Sequence, residues 1–308
     1  MHIVYISVRP QVFQETVRQV ERFMPFIDHV VVACPTRLAG EFAGSTTLPL
    51  TIFNDEQLLA DQLGDLNNHQ QLNFALRAAL IKQDGIPGEF ILSDDDARPI
   101  RPIPESIYYE NGRHHPYYFY DLSRWGSKKT DFDLGQHNTF KVLAEAAYPH
   151  LSYASHMPQI IDRECFLACL DRFDGAYNNL AICEWSLYFN FSRKIFPRRF
   201  HPPQPYLTFC WPDAPYTWPL FVEPDAIYFE NYYPQMYELF GMFCGYSAAP
   251  GTDEAGRVAE QKNRQWQLVA DARLKGRPLL CDPWVQGSWV RWLAASVVWP
   301  IYFRNRRL

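Results

Sequence analysis

Apolar runs alternate with amphipathic segments over the first hundred residues, and this alternation most constrains the fold. Helical spacing of apolar side chains predicts helices over 11–23 and 69–82. Strands are predicted around them, from β-branched and aromatic runs at 3–8, 30–34, 48–53 and 89–92. Such alternation is typical of a mostly parallel sheet covered by helices on both faces. The sequence therefore predicts an α/β fold, and ligands of such folds bind at the carboxyl ends of the strands.

Regular patterning weakens after residue 100. Residues 101–118 are rich in Pro, Tyr and His and residues 124–137 are polar, so both stretches are predicted as loops or insertions. Regular structure is predicted beyond them, with helices at 138–147, 163–172 and 182–193 and strands at 158–162 and 194–200. Residues 247–257 contain Pro and Gly and are predicted as a linker. We therefore expect one domain over 1–246 and a helical C-terminal extension over 247–308.

Composition argues against several classes of protein. A formal net charge of −5 disfavours a general nucleic-acid binder, which needs a basic surface to displace phosphate counterions. The seven cysteines are odd in number and include no C-x-x-C pair, so neither a zinc ribbon nor a disulfide framework is expected. The chain opens without a signal-peptide pattern and contains no uncharged run of about 18 residues. We therefore expect a cytoplasmic protein.

Three consecutive carboxylates follow the fourth predicted strand. The apolar run 90–92 passes through Ser93 into Asp94, Asp95 and Asp96. Adjacent carboxylates repel one another, so this arrangement is costly without a compensating cation. Hard oxygen ligands at a strand end suit Mg²⁺ or Mn²⁺ bridging a diphosphate. The alternative is a solvated acidic turn that caps the next segment.

In this context Asp94-x-Asp96 resembles the Asp-x-Asp motif of the glycosyltransferases of the GT-A fold. The downstream order is also similar: a strand ending at Asp162, a helix, a turn at 173–175, and an acidic residue, Glu184, that opens a second helix. The family's usual Glu-Asp appears here as Glu-Trp. The resemblance implies a Rossmann-like GT-A catalytic domain over 1–246. It also implies a nucleotide-sugar donor whose diphosphate lies at Asp94 and Asp95, with the metal held by Asp94 and Asp96.

Glu184 is the candidate catalytic base. An inverting sugar transfer needs one group to take the proton of the acceptor hydroxyl, and a carboxylate near the metal can do so. Trp185 follows it and offers a flat surface for stacking on an acceptor sugar. The alternative for Glu184 is a helix N-terminal carboxylate that the macrodipole favours.

Two histidines are further candidates. In the GT-A resemblance His201 occupies the place of a third metal ligand, because it follows the last strand predicted for the domain. His156 precedes Met157 and Pro158 at the start of a predicted strand. The same His-x-Pro element occurs in the Stealth-type sugar-phosphate transferases, so His156 is predicted to contact the acceptor or to act in catalysis.

Three residues are predicted to bind the donor nucleotide. Arg9 follows the first strand, Asp55 follows the third strand, and Arg77 lies on the helix before the acidic triplet. An exposed salt bridge is the alternative for each of them. The sequence contains neither G-x-G-x-x-G nor G-x-x-x-x-G-K-[ST], which disfavours dehydrogenases, kinases and NTPases.

These patterns together predict a metal-dependent glycosyltransferase. It is expected to move a sugar from a nucleotide-sugar donor to a hydroxyl of a glycan or a lipid-linked glycan, with inversion favoured and bacterial surface polysaccharide as the product class. Two alternatives stay open. One is a Stealth-like hexose-phosphate transferase, and the other is a non-catalytic carbohydrate-binding protein on a degenerate transferase fold.

The C-terminal extension carries an aromatic and basic tail. Trp289, Trp292 and Trp299 recur at helical spacing, and three arginines follow within 304–307. Indole rings prefer the bilayer interface, and basic residues are attracted to an anionic leaflet. The tail therefore predicts peripheral contact with the inner face of a cell membrane. A helix packed on the catalytic domain is the alternative.

Overall fold

The computed structural model describes residues 1–60, 66, 68–125, 130–209 and 228–234. The predicted linker at 247–257 and the rest of the C-terminal extension lie outside these residues. None of the described helices is long and apolar enough to span a bilayer.

The chain up to the acidic triplet folds as predicted, with strands and helices in alternation. In order these elements are β1 (His2–Ile6), α1 (Pro10–Phe23), β2 (His29–Cys34), α2 (Ala39–Phe42), β3 (Leu50–Asn54), α3 (Asp55–Leu59), α4 (His69–Ile81) and β4 (Glu89–Asp94).

The following half mixes short strands with helices. In order these elements are β5 (Ala97–Pro99), β6 (Tyr109–Glu110), β7 (Arg113–His114), β8 (Tyr117–Tyr118), β9 (Tyr120–Asp121), α5 (Asp131–Glu145), β10 (Leu151–Ser152), β11 (Gln159–Asp162), α6 (Arg163–Arg172), α7 (Asp174–Tyr177), α8 (Glu184–Ile195), β12 (Gln204–Pro205), β13 (Thr208–Phe209) and β14 (Phe229–Asn231).

A five-stranded sheet in the order β11-β4-β1-β2-β3 forms the centre of the molecule. Strands β1 to β4 are parallel and β11 runs antiparallel to β4, so the predicted mostly parallel α/β sheet is confirmed. Ile6 lies opposite Asp94 in the register, and Cys34 lies opposite Asn54. The residues that follow β1, β3 and β4 consequently meet at one edge of the sheet.

Both faces of the sheet are buried, as parallel strands require. Because successive side chains point to opposite faces, Tyr5 packs toward α1 and Val4 packs toward the helices on the other face. The α1 layer is closed by Phe13, Val17 and Val20. The opposite layer is closed by side chains of α4, α6 and α8, among them Phe74, Phe166, Leu187 and Phe189.

Three stretches differ from the sequence-based prediction. Residues 101–118 were expected to be loop or insertion, but they contain the short strands β6, β7 and β8. Residues 124–137 were expected to be a polar loop, but α5 begins at Asp131 because Thr130 and Asp133 form a capping box. In that motif each side chain accepts from the other residue's backbone N–H, which stabilises a helix start inside a polar sequence. Residues 194–200 do not form the expected strand, since α8 continues to Ile195 and a 3₁₀ turn follows at Pro197–Arg199.

Candidate functional site

A cavity of about 530 Å³ opens at the carboxyl ends of β1, β3 and β4. Nine of the ten side chains predicted for the site line it, although they come from six separate parts of the chain: Arg9, Asp55, Arg77, Asp94, Asp95, Asp96, His156, Glu184 and Trp185. The sheet register explains this convergence for the residues after β1, β3 and β4. The helices α4 and α8 bring Arg77 and Glu184 to the same edge.

Arg9 joins two of the three carboxylates. Its guanidinium forms an ion pair with Asp95 and donates from Nη2 to Oδ2 of Asp96 at 2.7 Å. The Ser7 hydroxyl donates to the same Asp95 at 2.6 Å. Asp95 is 5% exposed and fully engaged, so it serves to position Arg9 and the loop after β1.

Arg77 joins the third carboxylate to Glu184. Its Nη2 donates to Oδ1 of Asp94 at 2.6 Å, and its Nη1 forms an ion pair with Glu184. Both partners of that second pair are buried, at 6% and 4% side-chain exposure. The guanidinium carbon also lies 4.9 Å from the ring centroid of Trp185, so the indole supports Arg77 as well as lining the cavity.

Asp96 lies in surroundings that disfavour its ionised form. Burial, and then the neighbouring carboxylates of Asp95 and Asp94, raise the pKa of Asp96. The carboxylate accepts from Asn231 Nδ2 at 2.7 Å in addition to Arg9. Because burial and two neighbouring carboxylates disfavour the ionised form despite Arg9, a further cation beside Asp96 would stabilise that form.

His156 faces this cluster from the loop before β11. Its Nδ1 lies 4.0 Å from Oδ2 of Asp94, and its φ of 48° is a left-handed conformation that non-glycine residues rarely adopt. Asp94, Asp96 and His156 each offer one ligand atom, and these atoms lie within 4.8 Å of one another. Two carboxylate oxygens and one imidazole nitrogen form a donor set that accepts Mn²⁺ or Mg²⁺.

The described lining of the cavity is acidic overall. It carries two arginines, Arg9 and Arg77, against five carboxylates, namely Asp55, Asp94, Asp95, Asp96 and Glu184. The net negative charge of this lining would repel a diphosphate. A divalent cation would change that balance, so the residues present fit one.

Asp55 forms a separate corner of the cavity. It is 7% exposed, and its Oδ1 accepts no hydrogen bond from any described residue. Burial, and then the adjacent Glu56 carboxylate, raise the pKa of Asp55 to about 6. A buried, unpaired carboxyl oxygen in a cavity is a ready acceptor for a hydroxyl or N–H group of a ligand.

The structure does not place His201 at the acidic cluster. His201 lies outside the lining of the cavity, where its ring stacks on His115 at a centroid distance of 4.1 Å. His201 was predicted as the third ligand from its order and distance in the chain, but the end of α8 and the 3₁₀ turn at Pro197–Arg199 lead it to His115 and not to Asp94. His156, predicted as an acceptor or catalytic contact, stands beside Asp94 in its place.

One element of the site, the strand β14, was not predicted from the sequence. It pairs with β5 and is held there by Arg98, whose Nε donates to Oε1 of Glu230 at 2.8 Å with both side chains at 0% exposure. This pairing delivers Asn231 to Asp96, and it places the Tyr233 ring 5.8 Å from the guanidinium of Arg9. No local motif marks these residues, since their partners lie more than 130 positions earlier.

No protein-family model matches the sequence, and a search of the curated proteins finds no significant match. Among solved structures, the chain is similar to mouse xyloside xylosyltransferase 1 in its apo form, with 10% identity and a TM-score of 0.40 over 68% of this chain and 87% of that one. It is also similar to the galactosyltransferase LgtC in complex with donor and acceptor sugar analogs, with 13% identity and a TM-score of 0.48 over 92% of this chain and 99% of that one.

A third similar structure is the 4-diphosphocytidyl-2C-methyl-D-erythritol synthase of Anaerococcus prevotii DSM 20548, with 10% identity and a TM-score of 0.32 over 66% of this chain and 86% of that one. Identities and TM-scores this low do not assign an activity. The activity is therefore inferred from the cavity itself.

Proposed function

We propose that this protein is a metal-dependent glycosyltransferase that moves a sugar from a nucleotide-sugar donor to a hydroxyl of a glycan or lipid-linked glycan. One observation carries the proposal. Asp94, Asp96 and His156 bring their ligand atoms within 4.8 Å of one another at the carboxyl end of β4, in a cavity also lined by two arginines. The three ligand atoms would bind a divalent cation, and the two arginines would bind a diphosphate beside it.

Asp94, Asp96 and His156 are the residues that would hold Mn²⁺ or Mg²⁺. When bound, the cation would offset the negative wall of the cavity and stabilise the charge that develops on a leaving diphosphate. Arg9 keeps Asp95 and Asp96 in place from the β1 side. Arg77 keeps Asp94 in place from α4.

The donor nucleotide is assigned to the part of the cavity formed by the loop after β1 and the start of α3. Arg9 and Arg77 are cations that can meet phosphate oxygens when these displace part of their carboxylate contacts. The unpaired Oδ1 of Asp55 is suited to a ribose hydroxyl or a base N–H group. Arg9 and Arg77 would thus bind the phosphates of a nucleoside diphosphate, and Asp55 would bind its ribose or base.

Glu184 is assigned as the group that takes the acceptor proton. It opens α8, lines the cavity, and is tied to Asp94 through Arg77. A single carboxylate in this position suits an inverting transfer, in which a base removes the proton as the hydroxyl attacks the anomeric carbon. Arg77 fixes the carboxylate in orientation, and Trp185 would meet the acceptor sugar.

A second reaction is favoured by one observation, the position of His156 beside Asp94. In a Stealth-like hexose-phosphate transferase a histidine and an acidic strand end share the site, and the nucleotide leaves as a monophosphate. The two reactions therefore differ in the nucleotide that they release.

The cellular setting is inferred from the sequence. We propose a cytoplasmic enzyme of bacterial surface polysaccharide synthesis that touches the inner face of the membrane through its tail. The support is the row of indoles at 289–299 and the arginines at 304–307, which suit an anionic interface.

A thermal-shift screen of nucleotide sugars, each with and without Mn²⁺, tests the proposed function. A donor that binds the folded protein raises Tm by mass action, and we expect that rise to require the metal. The donor found is then incubated with glycan acceptors and the released nucleotide is identified. A nucleoside diphosphate supports glycosyl transfer and a monophosphate supports the Stealth-like reaction. Metal-independent binding without turnover would leave only the non-catalytic carbohydrate-binding protein.

A further inference from the structure

A second group of metal-binding side chains lies away from the cavity. Strands β6 and β7 form a hairpin whose turn residues, Asn111 and Gly112, have φ values of 52° and 75°. Glu110 ends β6, and His115 directly follows β7. The backbone N–H of His201 donates to the carbonyl oxygen of His114 at 2.8 Å, so His201 is fixed against the same hairpin.

The three side chains Glu110, His115 and His201 face one another. The two imidazole rings are parallel, with centroids 4.1 Å apart and an interplanar angle of 7°. Nε2 of His115 lies 3.7 Å from Oε2 of Glu110, which is too long for a hydrogen bond. One ligand atom from each of the three residues lies within 4.8 Å of the other two.

A hydrogen bond fixes which nitrogen of the His201 ring carries the proton. Nε2 of His201 lies 2.9 Å from the carbonyl oxygen of Glu110. A carbonyl only accepts, so this nitrogen carries the proton and the lone pair of the neutral ring is on Nδ1. Ligating histidines are held in this way, by donation of the other ring N–H to a carbonyl or carboxylate.

His115 has a matching support. Its Nδ1 lies 3.1 Å from the side-chain nitrogen Nε2 of Gln204 and accepts from it, so in this arrangement Nε2 of His115 carries the proton and faces Glu110. An amide that turns about its last torsion presents its oxygen to the same place, so Gln204 can accept from Nδ1–H when Nε2 is a ligand. In that arrangement one nitrogen of each ring is held by a hydrogen bond, and the other nitrogen can bind a metal ion.

We propose that Glu110, His115 and His201 form a second metal site that binds Zn²⁺ or a similar transition-metal ion. Two imidazoles and one carboxylate are typical zinc ligands, and with bonds of about 2.0–2.2 Å their ligand atoms lie about 3.4 Å apart. The ligand atoms lie within 4.8 Å of one another, so they need to approach by at most about 1.4 Å. The Glu110 side chain is 56% exposed and is free to make that movement.

The site would join two distant parts of the chain. Glu110 and His115 belong to the hairpin segment, and His201 follows the 3₁₀ turn at Pro197–Arg199, about ninety positions later. Among the described residues, none of the three ligands lines the cavity. A bound ion therefore acts as a cross-link that fixes the hairpin on the body of the domain, and it takes no part in the transfer reaction.

Zinc binding by the intact protein tests this proposal. The protein is stripped with a chelator and titrated with Zn²⁺ against a chromophoric competitor, in a background of Asp94→Asn and Asp96→Asn that silences the cavity. We expect one equivalent of Zn²⁺ to bind in that background. Glu110→Gln and His201→Ala should each weaken this binding at least tenfold, because each removes one of three ligands.

The control is His150→Ala, which removes a histidine that pairs with Asp121 outside the cluster. It should bind Zn²⁺ like the background protein. Measuring Tm with and without Zn²⁺ distinguishes lost binding from misfolding. Glu110→Gln changes an exposed side chain, so it should keep the metal-free Tm and lose the rise of Tm with Zn²⁺. Equal Zn²⁺ affinity in Glu110→Gln, His201→Ala and His150→Ala would overturn the proposal.

Discussion

Nη2 of Arg77 lies 2.6 Å from Oδ1 of Asp94, and the other terminal nitrogen of the same guanidinium pairs with Glu184. One cation thereby joins an expected metal ligand to the expected catalytic base. All three groups come from different elements, α4, β4 and α8. The relative position of the two carboxylates consequently depends on a single side chain, which makes Arg77 the most informative residue to change.

Replacing Arg77 should destabilise the protein through Glu184. In Arg77→Met the Glu184 carboxylate, at 4% side-chain exposure, loses its ion-pair partner, and an unpaired buried charge costs about 3–5 kcal/mol. The double variant Arg77→Met/Glu184→Gln should recover much of that loss, because the buried charge is gone. Urea unfolding of the single and double variants measures this coupling. Additive losses would show that the pair is not coupled.

Asp96→Asn should remove metal-dependent activity while the protein stays folded. The pKa of Asp96 is raised, so its ionised form is unfavourable in the folded state, and a neutral amide should leave stability equal or higher. The measurements are turnover with a nucleotide-sugar donor and the Mn²⁺-dependent rise of Tm. Asp171→Asn changes an exposed carboxylate on α6 and is the matched control. Full activity of Asp96→Asn, or of the native protein in EDTA, would refute the metal mechanism.

Glu184→Gln should separate catalysis from donor binding. The amide keeps the shape of the side chain but cannot take a proton at neutral pH. We expect kcat to fall by about 10²–10⁴-fold, with donor affinity nearly unchanged. A loss of donor affinity with unchanged kcat would instead make Glu184 a binding residue that works through Arg77.

Asp55 should make stability depend on pH. Its folded-state pKa of about 6 lies above the ordinary value of 3.8, so the folded state binds the proton more tightly than the unfolded state does. Stability from this group is therefore present at low pH and is lost as pH rises from about 4 to 6, by up to about 3 kcal/mol.

Asp55→Asn removes this dependence, so it should be more stable than the native protein at pH 7 and equal to it near pH 4. Chemical denaturation at several pH values measures the difference. Glu41→Gln, a change of an exposed carboxylate, is the control and should show no such trend. A pH-independent difference between Asp55→Asn and the native protein would contradict the shifted pKa.

Much of the cavity could be predicted from the sequence because of where its residues stand. Arg9, Asp55 and the Asp94–Asp96 triplet each come just after a strand whose apolar run is easily recognised. In a parallel sheet the carboxyl ends of neighbouring strands share one edge, so local patterns were enough to bring these side chains together. Glu184 followed from the GT-A resemblance, in which an acidic residue opens a helix after the strand, helix and turn at 158–175.

The remainder depends on contacts that local patterns do not encode. His156 lies beside Asp94 because its backbone is left-handed at this point of the loop. No residue type in the loop indicates that conformation. Asn231 reaches Asp96 across 135 positions by antiparallel pairing of two three-residue strands. The position of His201 was also mispredicted. The apolar and basic residues at 194–200 suit a strand, but they form the end of α8 and a 3₁₀ turn.

The pairing of β14 with β5 decides how short a working fragment of this protein can be. The buried ion pair of Arg98 and Glu230 fastens residues 229–231 to the strand that directly follows the acidic triplet. A fragment that stops after β13 would keep every strand of the central sheet and all the acidic ligands, yet it would leave Arg98 buried without Glu230 and Asp96 without Asn231. A fragment for expression, crystallisation or fusion to another protein should therefore include residues 229–231.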